Sequence, residues 1–391
     1  MNIVCLGQQG WHVTRTAKQH LLGGLARRGH RILYVDPLQS DPPPATGNGW
    51  LADVWPPRSL SGVSEVEPGV HVLTLPRPRL PRAIAKRLPS RVVAGVVRRL
   101  GLDEPIVVCS WPSSRWLGGR IDASARVYLA YDDNAAFGNL PPSFAEHQRR
   151  EEQRALAESQ VALAVSPALV ERFEKVVPRS YLQENGVDVA AFDPAALAGA
   201  APHPIYEAVD AALPERAGVA GFVGQLDERM DQSLVLGLAR SRRDVAFVFA
   251  GRLKESVDFS AFEAEPNVFL TGPVPYRELP GVYRGFTVGL VPYVRSELTR
   301  ACNPLKAYEY LAAGLPVVAT ALEGLNSVRG VAAVCESHEA FAASLDRALA
   351  EPGVGLDARR SLAASADWAS RVEMLEARLN EAREVAGAAR R

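Results

Sequence analysis

Residues 298–320 read LTRACNPLKAYEYLAAGLPVVAT, an order of residue types suited to holding an anion. Asn303 is a good helix N-cap, Pro304 suits the first helical position, Gly314 stops the helix and Pro316 opens an apolar strand. A helix N-terminus therefore emerges from a loop that follows a strand. Its unpaired backbone N–H groups and dipole favour negative charge by about 0.3–1 kcal/mol when exposed, and up to about 2 kcal/mol when partly buried. Lys306 adds a full positive charge in that first turn. A cation there opposes the dipole, so a helix selected for stability alone would more often carry an acid. Glu309 follows three residues later on the same face, where a carboxylate can accept two hydroxyls of a ribose. The plain alternative is a surface Lys306–Glu309 pair worth about 0.2–0.5 kcal/mol, and the misplaced lysine weighs against it.

Other polar groups fall at the ends of apolar runs. Gly224 ends one such run, and Asp227-Glu-Arg229 follows in a polar loop, where a guanidinium fork suits bidentate contact with phosphate. An exposed arginine paired with Asp227 or Glu228 is the plain reading. Gly251 and the Gly272-Pro-Val274-Pro275 turn occupy similar positions and are candidates to flank a base. Near the start, Gly7-Gln-Gln-Gly10-Trp11 lets backbone approach a substrate but lacks the full dinucleotide fingerprint. Gly10, Trp11 and His12 are candidates for an acceptor pocket, with a structural tryptophan as the alternative. Asp132 and Asp133 follow a strand-like run; either can orient an acceptor hydroxyl, or both can cap the next helix. Two adjacent acids do not make a magnesium site, and no metal is expected.

These residues need a scaffold of strands and helices to bring them together. With 391 residues the chain has room for two domains, and its 47% hydrophobic content allows each a core. Forty-four basic residues balance 44 acidic ones, so no global field draws in nucleic acid. Asn2–Leu6 and Arg31–Val35 read as strands around a helix starting near Thr16, a βαβ unit. Ile106–Cys109, Ala125–Ala130 and residues 161–165 continue the series. A second series occupies 219–223, 245–250, 268–270, 287–291, 316–320 and 331–335. The expected organisation is a domain at 1–195, a linker at 196–217 where periodicity fades, a domain at 218–365 and a C-terminal helix at 366–391. Two doubly wound α/β domains facing across a cleft are expected. Four scattered cysteines, and a first apolar run too short for a signal peptide, imply a reducing, cytoplasmic setting. Between residues 68 and 102 stand Arg77, Arg79, Arg82, Lys86, Arg87, Arg91, Arg98 and Arg99 with no acid. This segment is read equally as solvated surface or as peripheral contact with the inner face of an anionic membrane.

The stretch Asn303-Pro-Leu-Lys-Ala-Tyr-Glu-Tyr-Leu-Ala-Ala-Gly-Leu-Pro-Val-Val resembles the nucleotide-binding segment of retaining GT-B glycosyltransferases of the family 4-like group. Its particular form is similar to that of bacterial teichuronic-acid-type cell-surface polysaccharide transferases. Gln19-His20-Leu21, the run from Gly29 to Pro37, Tyr131-Asp-Asp133, Glu184-Asn-Gly-Val-Asp188 and Gly224-Gln-Leu-Asp-Glu-Arg229 extend the likeness along the chain. The resemblance implies a GT-B fold and transfer of a sugar from a nucleotide-sugar donor to a hydroxyl acceptor, with retention and with no cofactor beyond that co-substrate. It implies that Glu309 binds the donor ribose and that Arg229 and Lys306 hold the diphosphate. Gly224, Gly251, Val274, Arg300 and Asn303 complete the expected donor-binding set. The chain departs from the wider family at Ala301, where a glutamate contacts the donor sugar, and at Ala17-Lys18, where Arg-Pro is common. A nucleotide-sugar epimerase of the same fold and a non-catalytic nucleotide-sugar binder are the alternatives.

Overall fold

The computed structural model describes residues 1–12, 15–36, 62–75, 87–136 and 141–391. The chain divides into two compact units, Met1–Gln183 with Arg371–Arg391, and Glu184–Ser370. Each is organised around a buried, mainly parallel sheet, as the near-continuous apolar strands require.

In the first unit the strands are β1 (Asn2–Leu6), β2 (Arg31–Val35), β3 (Val63–Glu67), β4 (Val70–Leu73), β5 (Ile106–Cys109), β6 (Ala125–Ala130), β7 (Val161–Ala164) and β8 (Ser180–Leu182). Their order is β3-β4-β2-β1-β5-β6-β7-β8, and β3 with β4 forms the antiparallel pair at one edge. The direction of winding reverses between β1 and β5, so the loop after β1 opens at a topological switch point. The sequence reading passed over β3 and β4. Val63, Glu65 and Glu67 are only partly buried or exposed, which weakens the apolar signal of an edge strand.

The second unit contains β9 (Gly218–Val223), β10 (Val245–Ala250), β11 (Val268–Gly272), β12 (Val288–Val291), β13 (Val317–Thr320) and β14 (Ala333–Cys335). They lie in the order β11-β10-β9-β12-β13-β14, all parallel, with the switch point between β9 and β12.

The segment 196–217, expected to be a linker, carries two helices, Pro194–Gly199 and Ile205–Ala212. Their Leu197, Tyr206 and Val209 join the core of the second unit, and the Asp193 side chain caps the first helix at Ala196. Alanine masked this structure: it weakens apolar periodicity while favouring helix. The division between units falls earlier, after Gln183.

The C-terminal helix is present as Trp368–Arg390, and from Arg371 it belongs to the first unit. Val372 sits over Gly24, where a β-carbon would come within 2.4 Å of the valine methyl. Glu376 receives Arg28 at 2.7 Å and lies 2.6 Å from His30 Nε2, while Tyr181 donates to Glu381 at 2.7 Å. Leu375, Leu379 and Ala382 are buried.

The basic segment contains helix Arg87–Arg99, whose Val93, Val96 and Val97 pack against Val4, Leu33 and Val107. Its apolar face is therefore used inside the fold, and Arg91, Arg98 and Arg99 are exposed. Arg77, Arg79, Arg82, Lys86 and the side chain of Arg87 lie outside the described residues. No helix among the described residues is long and apolar enough to cross a membrane. The four cysteines are buried thiols, and burial pushes Cys5 and Cys109 up to about 12.

Because Leu379 is fully buried, Leu379→Ala should destabilise the first unit by about 2–5 kcal/mol. Urea unfolding followed by far-ultraviolet circular dichroism checks this. An unchanged midpoint would mean that the terminal helix is not part of that core.

Candidate active site

The second unit's site begins at the parting of β9 and β12. The two strands pair at Val288 with Ala220 and Gly289 with Gly221. Further along, the Tyr310 hydroxyl enters, accepting from the Val223 N–H at 3.0 Å and donating toward the Leu290 carbonyl at 3.4 Å. Gly289 admits the Tyr310 ring, since a β-carbon there would stand 2.3 Å from it. Tyr310 thus seats helix Leu305–Ala312 on the sheet with its N-terminus at the switch point.

That helix begins one residue later than expected. Pro304 is its N-cap, with extended backbone, and no side chain caps its first turn. Asn303, expected as the cap and as a donor-binding residue, faces inward instead. Its Oδ1 accepts from the Asn185 N–H at 2.8 Å, its carbonyl accepts from Asn185 Nδ2 at 2.6 Å, and its Nδ2 donates to Tyr308 and to the Gly324 carbonyl. The residue before a proline is pushed out of the helical region, which frees Asn303 for this work. The uncapped first turn keeps N–H groups for an external oxygen. At the other end, Gly314 takes a positive φ of 77° and closes the helix.

Lys306 rises from the first turn beneath Gly224. Its Nζ donates to the Tyr293 hydroxyl at 2.7 Å and lies 4.5 Å from the Phe222 ring centroid and 4.9 Å from that of Tyr293. The surface Lys306–Glu309 pair of the plain reading is not formed. Gly224 has φ of 137°, and a β-carbon on it would meet Lys306 Cε at 3.0 Å. Gly251, at φ of 156°, packs so closely on Gly224 that a β-carbon would fall 1.8 Å from its carbonyl oxygen. Both positions therefore require glycine.

Arg229 also lies against Tyr293, its guanidinium 5.6 Å from the ring centroid. It is paired with Asp227 through Nε at 2.9 Å and Nη2 at 2.6 Å, as the plain reading anticipated, but is largely buried. Burial alone would raise the Asp227 carboxyl; the Arg229 hydrogen bonds hold it below its ordinary range. The loop is fixed to the one after β12 by Val294 N–H to Arg229 carbonyl and Asp231 N–H to Pro292 carbonyl, each 2.8 Å. Tyr293 also walls a cavity of about 220 Å³ lined further by Asp231, Leu234, Thr320, His338 and Phe341.

Glu309 is buried one turn beyond Lys306, and the Tyr283 hydroxyl donates to its Oε2. Burial is the main reason its carboxyl rises from an ordinary 4.5 to about 7, against the opposing pull of Tyr283 and Lys306. Val274 packs half-buried on the core after Gly272, whose carbonyl takes the Gly251 N–H at 2.9 Å. Arg300 is directed to Glu323 at 2.6 Å and is mostly exposed. Tyr283, Tyr293, Tyr310, Phe222 and Asp227 were not singled out as site residues from the sequence. Tyrosines spaced like core residues give no signal that their hydroxyls serve a site.

In the first unit, Trp11 is buried edge-on against Tyr34 at 5.2 Å, and its N–H donates to Asp36 Oδ1 at 2.8 Å. His12 is exposed, and the Gly10 carbonyl accepts from Lys18 Nζ at 3.0 Å. Asp133 is buried in an ion pair with Arg172 and accepts the Ala135 N–H at 3.0 Å. Arg172 also binds Glu152 at 2.9 Å, which takes the Tyr128 hydroxyl at 2.9 Å. These contacts hold Asp133 in a buried ion pair, and Asp132 is half-buried beside it. No cluster of three or more His, Cys, Asp or Glu able to hold a metal ion occurs among the described residues.

Glu309 leads to a pH prediction. Its raised pKa means that the folded chain keeps a proton that the unfolded chain releases between about 4.5 and 7. Its contribution to stability is therefore full at acid pH and is lost as pH rises through about 7. At pH 8, Glu309→Gln should stabilise the second unit by on the order of 3 kcal/mol and flatten this pH slope. Urea unfolding at pH 5 and pH 8 measures it; equal slopes in both proteins would refute the burial cost.

Residues 217–351 match the family described as Glycosyl transferases group 1. Over 158 residues the chain is 30% identical to a teichuronic acid biosynthesis glycosyltransferase of Bacillus subtilis (strain 168), covering 38% of this chain and 40% of that relative's length. It is 27% identical over 334 residues to a D-inositol 3-phosphate glycosyltransferase of Salinispora tropica, covering 75% and 68%. Among solved structures, a trehalose-6-phosphate structure from E. coli bound with UDP-2-fluoro glucose is similar, with TM-score 0.69, 14% identity and coverage of 97% and 99%. The second unit thus carries a glycosyl transferases group 1 domain, and the two parallel-sheet units have the fold of the similar GT-B structures.

Proposed function

We propose that this chain transfers a sugar from a uridine-diphosphate sugar to a hydroxyl of an acceptor, with retention at the anomeric carbon and without a metal ion. The observation that carries the reading is the uncapped first turn of helix Leu305–Ala312, with Lys306 held beneath Gly224. A diphosphate in the crevice would meet the helix N–H groups, Lys306 and Arg229. The last two are oriented in advance by Tyr293 and Asp227. As the glycosidic bond breaks, charge builds on the leaving phosphate, and fixed donors stabilise it without reorganising. Glu309, ionised, accepts the two ribose hydroxyls in place of, or beside, the Tyr283 hydroxyl. The similar E. coli structure is bound with a UDP sugar, which supports uridine as the base. The family resemblance supports retention, and a donor phosphate oxygen is then positioned to take the acceptor proton.

Lys306→Ala should lower turnover as well as donor affinity, because the lost charge faces a group that becomes more negative in the transition state. Glu309→Ala should first weaken binding of uridine diphosphate, by about ten- to a hundredfold. In the wild type that affinity should rise as pH passes upward through about 7, as Glu309 ionises. Calorimetry with circular dichroism as the folding control decides it. Wild-type affinity in both folded variants would remove the donor from this helix.

Activity should persist in excess chelator. Loss restored by magnesium would overturn the cationic account of the leaving group. Release of uridine diphosphate only when an acceptor is supplied separates transfer from epimerisation and from simple binding.

A further inference from the structure

Tyr293 is 3% exposed and is fixed in the loop after β12, where its N–H donates to the Val291 carbonyl at 3.1 Å and its backbone pairs with Met230. An ammonium can only donate, so in the 2.7 Å contact with Lys306 the phenol oxygen accepts. The phenol hydrogen is left over, and the Tyr293 hydroxyl makes no other hydrogen bond among the described residues. Two other tyrosines of the site spend theirs, Tyr283 on Glu309 and Tyr310 toward the Leu290 carbonyl. The neighbouring carboxylates are committed elsewhere. Asp227 and Glu309 both feel the Lys306 charge, yet both Asp227 oxygens hold Arg229 and Glu309 Oε2 holds Tyr283. Glu228 gives both oxygens to Lys254. Over the ammonium, Gly224 leaves open the place where a β-carbon would stand 3.1 Å from Lys306 Nζ.

We propose that the Tyr293 hydroxyl donates its hydrogen to a diphosphate oxygen of the nucleotide sugar, a contact additional to those of Lys306 and Arg229. The inference rests on the transferase reading and adds to it a residue that touches the substrate. A buried hydroxyl hydrogen without an acceptor costs free energy, so its partner must come from outside the fold. That partner must be an acceptor beside an ammonium, and a phosphate oxygen suits both groups at once. The bond from Lys306 polarises the phenol and makes its O–H a stronger donor, so the two contacts reinforce each other. As the glycosidic bond breaks, the leaving oxygen gains negative charge, and the O–H···O contact strengthens without any proton leaving the phenol. Phenylalanine would present the same ring to Arg229 and Lys306, so the cation contacts alone do not require a tyrosine. Water in the cavity of about 220 Å³ that Tyr293 also walls is the competing partner; a hydroxyl bonded only to water and Lys306 would affect the nucleotide only through Lys306.

Calorimetry of the full chain with uridine diphosphate and with uridine tests this, with circular dichroism as the folding control. Tyr293→Phe should weaken uridine diphosphate about ten- to a hundredfold and leave uridine unchanged. In a Lys306→Met background, where the hydroxyl has no ammonium to hold, the same change should still cost about tenfold. Disappearance of the effect in that background, an equal loss for uridine, or wild-type affinity in Tyr293→Phe would each overturn the proposal. A chain carrying 3-fluorotyrosine at position 293 alone keeps the hydroxyl and the shape of the side chain. Its fluorine resonance should shift with uridine diphosphate and stay in place with uridine; a resonance that uridine diphosphate leaves unmoved would also overturn the proposal. Failure of uridine diphosphate to bind the wild type would instead overturn the donor reading.

Discussion

The second unit depends on one hydrogen-bonding problem, the opening of the sheet between β9 and β12. Where parallel strands diverge, backbone groups lose their partners, and an unpaired buried N–H costs about 1–3 kcal/mol. Tyr310 resolves this by presenting its hydroxyl to the Val223 N–H and the Leu290 carbonyl. The helix that carries Tyr310 is thereby held at a fixed height, and Gly289 is the residue that lets its ring reach the sheet. Lys306 and Glu309 follow from that placement, since one stands four positions before Tyr310 in the helix and the other immediately before it. A substitution at Gly289 or Tyr310 would therefore disturb a site neither of them touches.

Charge in the crevice is prepared without being neutralised. Lys306 is steadied by a hydroxyl and two aromatic faces, contacts that orient an ammonium while leaving it its charge. Arg229 is steadied by Asp227, whose carboxylate is itself held ionised by the pairing. Tyr293 contacts both cations, so it acts as a positioning residue for each. Glu309 is the opposite case, an acid so enclosed that its charge is disfavoured near neutral pH. Its retention at a stability cost is reasonable for a group whose partners arrive with a ligand.

The first unit repeats the topological device with different chemistry. Its switch point also opens after the central strand β1, but the loop there is backed by a buried lysine and unsatisfied amide and phenol donors rather than by an uncapped helix over a stacked cation. Asp133 belongs to the frame of that unit, with Arg172, Glu152 and Tyr128 forming one connected network across helix Pro142–Ala157 and helix Pro167–Glu174.

The strands were legible in the amino-acid order because parallel sheets buried on both faces demand continuous apolar runs; most of those read from the chain, such as Asn2–Leu6 and Val245–Ala250, recur in the structure. The helix bearing Lys306 and Glu309 was legible too, because proline and glycine punctuate it and a lysine in the first turn violates the local electrostatic preference. Local rules misplaced its start by one residue and took the alanine-rich helices at 194–212 for a linker, because small residues can pack without leaving a strong periodic pattern. Tertiary structure alone decided which polar groups are spent and which are held in reserve. Asn303 and Asp133 have the composition of site residues but are consumed by Asn185 and Arg172, partners 118 and 39 positions away. Lys18 reads as an ordinary helical lysine until the fold buries it near Asp36. Hydrogen-bond satisfaction is a property of what surrounds a side chain in three dimensions, and residue type and spacing encode only what that side chain is able to offer.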